Sequence, residues 1–133
     1  MSVSTDKQVL ELKKDASSYL KLEDFSKAQK TIKKALELKP NSKSLIHELA
    51  KIDLKSKNFA SSLELLLGLE DQVTKKNILY KDIGLAYFGL GKLEKALYFS
   101  HKSLEESPKY IEALVLKGKA LRELENFDEA LSV

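Results

Sequence analysis

The sequence predicts an all-α protein assembled from helix pairs, and three observations carry that expectation. Residue types recur at intervals of 34 along most of the 133 residues. Within each interval the apolar positions follow the three-to-four-residue spacing of a helix face, not the alternation of a strand. Gly and Pro together number seven, too few for the many turns of an all-β chain. The length leaves room for one ordinary domain, and 43% hydrophobic with 32% charged residues is globular composition. Without Cys there is no disulfide framework, thiolate nucleophile or Cys-ligated zinc. No apolar run approaches the roughly 18–20 residues of a membrane span, and Met1–Asp6 is no signal peptide. These features imply a soluble, cytoplasmic protein.

The period shows first in the prolines, because the interval from Pro40 to Pro108 is twice 34. Rows beginning at Val9, Lys43, Asn77 and Ile111 align without a gap. Their eighth column reads Ala16, Ala50, Gly84, Gly118 and their twentieth Ala28, Ser62, Ala96, Ala130, so small residues recur where two helices must approach closely. Column 4 reads Leu12, Ile46, Tyr80, Leu114 and column 17 reads Phe25, Phe59, Leu93, Phe127, where bulk must fill the space between them.

The elements follow in order. Thr5 with Gln8 forms a capping box for a helix over about 6–21, whose apolar face is Leu12, Ala16, Tyr19 and Leu20. Asp24 caps a second helix over 25–38, with Phe25, Ala28, Ile32, Ala35 and Leu36 inward and Pro40 as its stop. The second row predicts helices over 43–55 and 59–72, the latter capped by Asn58. The third predicts 76–89 and 93–106, separated by Gly89-Leu90-Gly91-Lys92 and stopped by Pro108. The fourth predicts 110–123, a turn at Glu123-Leu124-Glu125-Asn126, and a last helix over 127–133 capped by Asn126 and Glu129.

With these columns the chain resembles the tetratricopeptide-repeat family, whose unit is a 34-residue helix pair. The third row carries the pattern best, as Tyr80-x2-Ile83-Gly84-x2-Tyr87, Ala96-x3-Ser100 and Pro108. The first follows with Leu12-x2-Asp15-Ala16-x2-Tyr19, Ala28-x3-Ile32 and Pro40. The second departs most, with Asp53 where Tyr19 and Tyr87 stand, Leu69 for Ala35 and Thr74 for the prolines. The resemblance implies a right-handed α-solenoid of antiparallel helix pairs. It implies one domain over 1–133, with repeats at about 9–42, 43–76, 77–110 and a shortened 111–133. Row four stops short of a full repeat, at Val133. An exposed apolar surface is therefore expected around Leu114, Leu121, Phe127 and Leu131, able to drive self-association. It also marks the chain as the N-terminal piece of a longer array, or as an end that a partner covers.

Catalytic and metal motifs do not assemble. A phosphate loop around Gly89-Leu90-Gly91-Lys92 would need Gly at Ala86 and Ser or Thr at Leu93. His47 and His101 fall in different rows, Glu105 one turn beyond His101 reads as a surface pair and not a catalytic dyad, and there is no Gly-x-Ser-x-Gly elbow. We expect no enzyme activity, no cofactor and no metal. The run Leu63, Leu65, Leu66, Leu67, Leu69 reads as a helix buried from both sides, with an outer binding patch as the alternative.

The resemblance implies a binding surface, because the first helix of each pair lines the concave face in that family. The residues it assigns are Lys13, Lys14, Ser17 and Lys21, then His47, Lys51, Leu54 and Lys55, then Lys81, Leu85 and Phe88, then Lys119 and Arg122. Leu10, Leu20, Ser44, Glu48, Ile78, Asp82, Gly89, Glu112, Val115, Leu116 and Glu123 complete the face. Eight cations against four carboxylates make it a basic groove with an apolar floor, suited to an acidic, partly hydrophobic peptide. The clamp that some members place on chaperone C-termini is not expected. Its Lys, Asn, Asn, Lys and Arg fall on Lys13, Ser17, Glu48, Ile78 and Asp82, or one row later on His47, Lys51, Asp82, Glu112 and Leu116. Two other functions are compatible with the pattern: a nucleic-acid-binding helical repeat, and a docking module of a larger enzyme. A single Arg among 23 cations disfavours base reading, and no membrane partner is expected.

Overall fold

Glu23, Lys57 and Gly91 share one column of the repeat, and all three are left-handed, with φ of 58°, 67° and 78°. Each ends a helix in the same way. The following amide donates back five residues, Asp24 to Tyr19 at 2.9 Å, Asn58 to Asp53 at 2.8 Å and Lys92 to Tyr87 at 2.9 Å. The left-handed residue's own amide donates three back, to Leu20, Leu54 and Phe88. This is the Schellman termination, which satisfies the last carbonyls of a helix as the chain reverses.

In the computed structural model residues 2–132 are described, with side chains for 4–126. The helices are α1 (Ser2–Lys21), α2 (Phe25–Leu38), α3 (Lys43–Lys55), α4 (Phe59–Leu67), α5 (Lys76–Gly89), α6 (Leu93–Glu106) and α7 (Ile111–Ser132), with no strand among the described residues. The chain is an all-α helical repeat. It divides into two compact units, residues 1–65 and 66–133, and the division falls within α4.

In unit 1 the hairpin α1–α2 carries α3. Its core is Val9, Ala16, Ala28, Ile32, Ala35, Leu45, Leu49 and Ile52, edged by Leu12, Tyr19, Leu36 and Leu65. Asp24 caps α2 by accepting from the Lys27 amide, as expected, and Ser42 caps α3 by accepting from the Leu45 amide. The row-two departure acquires a reason: Asp53, 1% exposed, is buried where rows one and three have Tyr. Its carboxylate accepts from Gln29 Nε2 of α2 at 3.0 Å and from Ser61 Oγ of α4 at 2.8 Å. A buried carboxylate needs such donors to be tolerated.

In unit 2, α5 packs on α6, and α7 packs on both. Leu79, Tyr80, Ile83, Ala86, Leu93, Ala96, Ala113, Leu116 and Ala120 are buried. Phe99 of α6 stacks on Tyr87 at 5.6 Å and tilts against Tyr80 at 6.0 Å. Gly84 is where the helices touch: a Cβ there would lie 3.3 Å from the Ala96 carbonyl and 2.6 Å from Leu116 Cδ2.

Three expectations require correction. Helix α1 begins at Ser2, not near residue 6, so Thr5 and Gln8 lie inside it. Nothing in Ser2–Thr5 breaks a helix, and an Asp6–Lys39 ion pair ties this turn to the end of α2. Helix α4 stops at Leu67 instead of 72. After Gly68 the chain tightens into three-residue bonds, Leu69 to Leu66 and Gln72 to Leu69. The turn at 123–126 does not form, and the two helices expected over 110–123 and 127–133 are one helix, α7. Reversal there would need a left-handed residue at Glu125, in the column of Glu23, Lys57 and Gly91. Continuing the helix adds one bond per residue without a new nucleus. Gly118 accordingly meets nothing within 4 Å and is exposed, so no second helix crosses it.

Candidate peptide-binding face

In unit 1 the expected face is formed by α1 and α3. Leu10, Lys13, Lys14, Ser17, Leu20 and Lys21 recur on α1 at steps of three, four and seven, which puts them on one side of the helix. On α3 the same spacing holds for Ser44, His47, Lys51, Leu54 and Lys55. The two sides meet where Lys13 Nζ donates to Ser44 Oγ at 3.3 Å. Lys14, Ser17, Lys21 and Lys55 are exposed, while Lys13, Leu20, His47, Lys51 and Leu54 are half-buried. Partial burial of long lysine stems beside leucines leaves the ammonium groups at the surface. Five lysines here face one carboxylate, Glu48.

Unit 2 differs in charge. Its face on α5 and α7 has Lys81, Lys119 and Arg122 against Asp82, Glu112 and Glu123, so the signs balance. Leu85 and Phe88 are half-buried, and Lys119 and Arg122 are exposed. Lys81 is held within the protein. Its ammonium lies 2.7 Å from the buried Asp82 Oδ1 and 3.1 Å from Glu112 Oε2, which also accepts from Tyr110 OH at 2.9 Å. Burial works against the Lys81 charge, but Asp82 beside it and bonds to Asp82 and Glu112 prevail, holding its pKa above the ordinary 10.5. The hydrogen bond from Tyr110, with those from Lys81, holds Glu112 below its ordinary 4.5. Burial first, and then its bond to Glu112, raises Tyr110. Tyr110 is absent from the expected face, and its partnership with Glu112 comes from a position immediately before α7 that no repeat column marks.

Other surfaces carry different chemistry. A cleft of about 490 Å3 opens between α1 and α2 in unit 1, lined by Leu12 and Leu38 and by Glu11, Asp15 and Glu37 with Lys34. None of the expected face residues lines it. The leucine run is divided: Leu66 and Leu69 are buried, Leu63 and Leu65 half-buried, and Leu67 exposed. On α7, Leu114 and Leu121 are 45% and 46% exposed, as the apolar-surface expectation requires, and Phe127 and Leu131 lie outside the residues with described side chains. Among the described residues no group of His, Asp and Glu could hold a metal ion, and no helix is long and apolar enough to cross a membrane.

The tetratricopeptide-repeat family model matches residues 16–42. No curated protein matches the sequence. Solved structures match over nearly the whole chain. The first such repeat domain of Spaghetti (RPAP3), bound to the HSP90 peptide SRMEEVD, is 24% identical, with a TM-score of 0.78 over 90% of this chain and 94% of that one. The second domain of human RPAP3, in complex with the HSP70 peptide SGPTIEEVD, is 16% identical, with a TM-score of 0.76 over 87% and 97%. The Sgt2 repeat domain of Aspergillus fumigatus is 17% identical, with a TM-score of 0.80 over 92% and 82%.

Proposed function

We propose that the chain, which matches the tetratricopeptide-repeat family model over residues 16–42 and shares the fold of solved domains of that kind, is a non-catalytic interaction scaffold that seats an acidic, partly hydrophobic segment of another protein on the first-helix faces of its pairs. Residues 1–133 act as one repeat domain in this reading, in the cytoplasm. The observation that carries it is the charge of the α1–α3 face, five lysines against Glu48 around half-buried Leu20 and Leu54. The peptides named for two structural neighbours, SRMEEVD and SGPTIEEVD, are of this kind, each with three acidic residues beside aliphatic ones. The fold is therefore no argument against chaperone tails. The argument against them is chemical: of the five clamp positions only Lys13 agrees, and Glu48 and Asp82 oppose a terminal carboxylate.

The test is titration with a fluorescein-labelled peptide of alternating Glu and Leu, in parallel with SRMEEVD and single-stranded RNA. The acidic peptide binds, and Lys51→Glu with Lys55→Glu weakens it by about tenfold or more, since each reversal replaces attraction with repulsion. Unchanged affinity in the double variant overturns the reading. SRMEEVD binding far above the Glu–Leu peptide would assign the chain to chaperone tails instead. Tight RNA binding with a steep salt slope would assign it to nucleic acid. Self-association through Ile111, Leu114, Val115 and Leu121 of α7 is the second contact we propose. It predicts a concentration-dependent sedimentation coefficient, and a strictly monomeric chain at high concentration overturns it.

A further inference from the structure

One contact occurs twice, at positions two rows apart in the repeat. Lys13 Nζ of α1 reaches Ser44 Oγ of α3 at 3.3 Å, and Lys81 Nζ of α5 reaches Glu112 Oε2 of α7 at 3.1 Å. Lys81 is Lys13 moved two rows along the repeat, and Glu112 is Ser44 moved by the same two rows. Each unit thus brings the same two positions together, and what changes is the group the lysine meets.

The electrostatic consequences are opposite. Lys13 meets a neutral hydroxyl, so its charge is not cancelled by that partner. Lys81 meets two carboxylates, one of them locked in place: Asp82 is 2% exposed at 2.7 Å, whereas Glu112 is 64% exposed and stands at the surface. The Lys81–Asp82–Glu112 cluster carries a net negative charge. A ligand carboxylate arriving at Lys81 must displace Glu112 and still faces Asp82. Tyr110 OH, at 2.9 Å, adds to the hold on Glu112.

We infer that the Ser44/Glu112 position is a specificity gate. Ser44 leaves Lys13 available to an acidic segment, and Glu112 occupies Lys81 as a built-in substitute for the ligand's carboxylate. Acidic ligands are therefore accepted by unit 1 and refused by unit 2. This rests on the binding face proposed above and adds to it which lysine selects the ligand.

The experiment exchanges the two residues and uses the Glu–Leu peptide. Ser44→Glu weakens binding about three- to fivefold, and Glu112→Ser strengthens it by a similar factor, the range an exposed ion pair supplies. Adding Lys81→Met to Glu112→Ser cancels the gain. Both positions are exposed, and circular dichroism with thermal unfolding checks that the variants keep the fold. Affinities unchanged by both exchanges, while Lys51→Glu with Lys55→Glu abolishes binding, overturn the gate and leave the binding face standing. A gain in Glu112→Ser, cancelled by Lys81→Met, upholds the gate at unit 2 even where Lys51 and Lys55 prove irrelevant. Absence of binding in both the wild type and Glu112→Ser overturns the gate and the binding face together.

Discussion

Gly84 and Gly118 occupy the same repeat column and serve opposite conditions. At Gly84 an added Cβ meets Leu116 at 2.6 Å and the Ala96 carbonyl at 3.3 Å, and the backbone atom cannot swing aside as a side chain can. Gly84→Leu overpacks the α5–α6 contact, destabilising by about 1–3 kcal/mol or more. At Gly118 nothing lies within 4 Å and the residue is mid-helix in α7. Gly118→Ala removes the entropic penalty of glycine in a helix, stabilising by about 0.5–1 kcal/mol. Urea unfolding of the two variants should move the midpoint in opposite directions. Lys57 is a third such residue, with φ of 67°. Lys57→Gly relieves left-handed strain of roughly 1–2 kcal/mol, offset by the greater freedom of glycine in the unfolded chain. The same measurement should show a net gain.

Among the elements, α7 and its junction with α5 are the most exposed to test. Lys81, with its pKa raised, contributes stability fully below pH 10.5 that is lost as the pH rises through its higher folded value. Glu112, with its pKa lowered, contributes stability above pH 4.5 that is lost as the pH falls through its lower folded value. The α5–α7 junction should therefore be firmest between these limits. Glu112→Gln should flatten the acid side of a thermal-midpoint profile and leave the alkaline side to Lys81; an unaltered acid side would remove Glu112 from the junction. The continuity of α7 has its own measurement. Amides of residues 123–126 should exchange with the slow, graded protection of a helix interior, whereas a turn at Glu125 would expose them.

For the whole molecule, the formal charge of +3 conceals how the face residues divide. Those of unit 1 are strongly basic and those of unit 2 are balanced. Attraction between exposed charges is screened over about 8–10 Å at physiological salt. Acidic-peptide affinity should accordingly fall as salt rises from about 50 to about 500 mM, by less in Ser44→Glu than in the wild type. A salt-independent affinity would place the binding energy in apolar contacts instead.

The repeat period, the small-residue columns and the spacing of apolar residues are local or periodic, and they determined the first three helix pairs and most of their helix ends without tertiary information. Asp24 as a cap, Ala28 and Ala96 in the core and Gly84 at a close contact were legible because helix geometry turns spacing into a face. The fate of Glu125 was not, since its column matches Glu23 and Lys57, which reverse the chain, while Glu125 lies inside α7. Nor was the silencing of Lys81 legible. Lys13 and Lys81 are the same residue in the same column, and only packing α7 against α5 brings Glu112 to one while α3 brings Ser44 to the other. The sequence by itself determined which residues share a helix face; the tertiary structure decided which charges on that face are cancelled, because Coulomb pairing depends on distances across helices that no spacing along the chain contains.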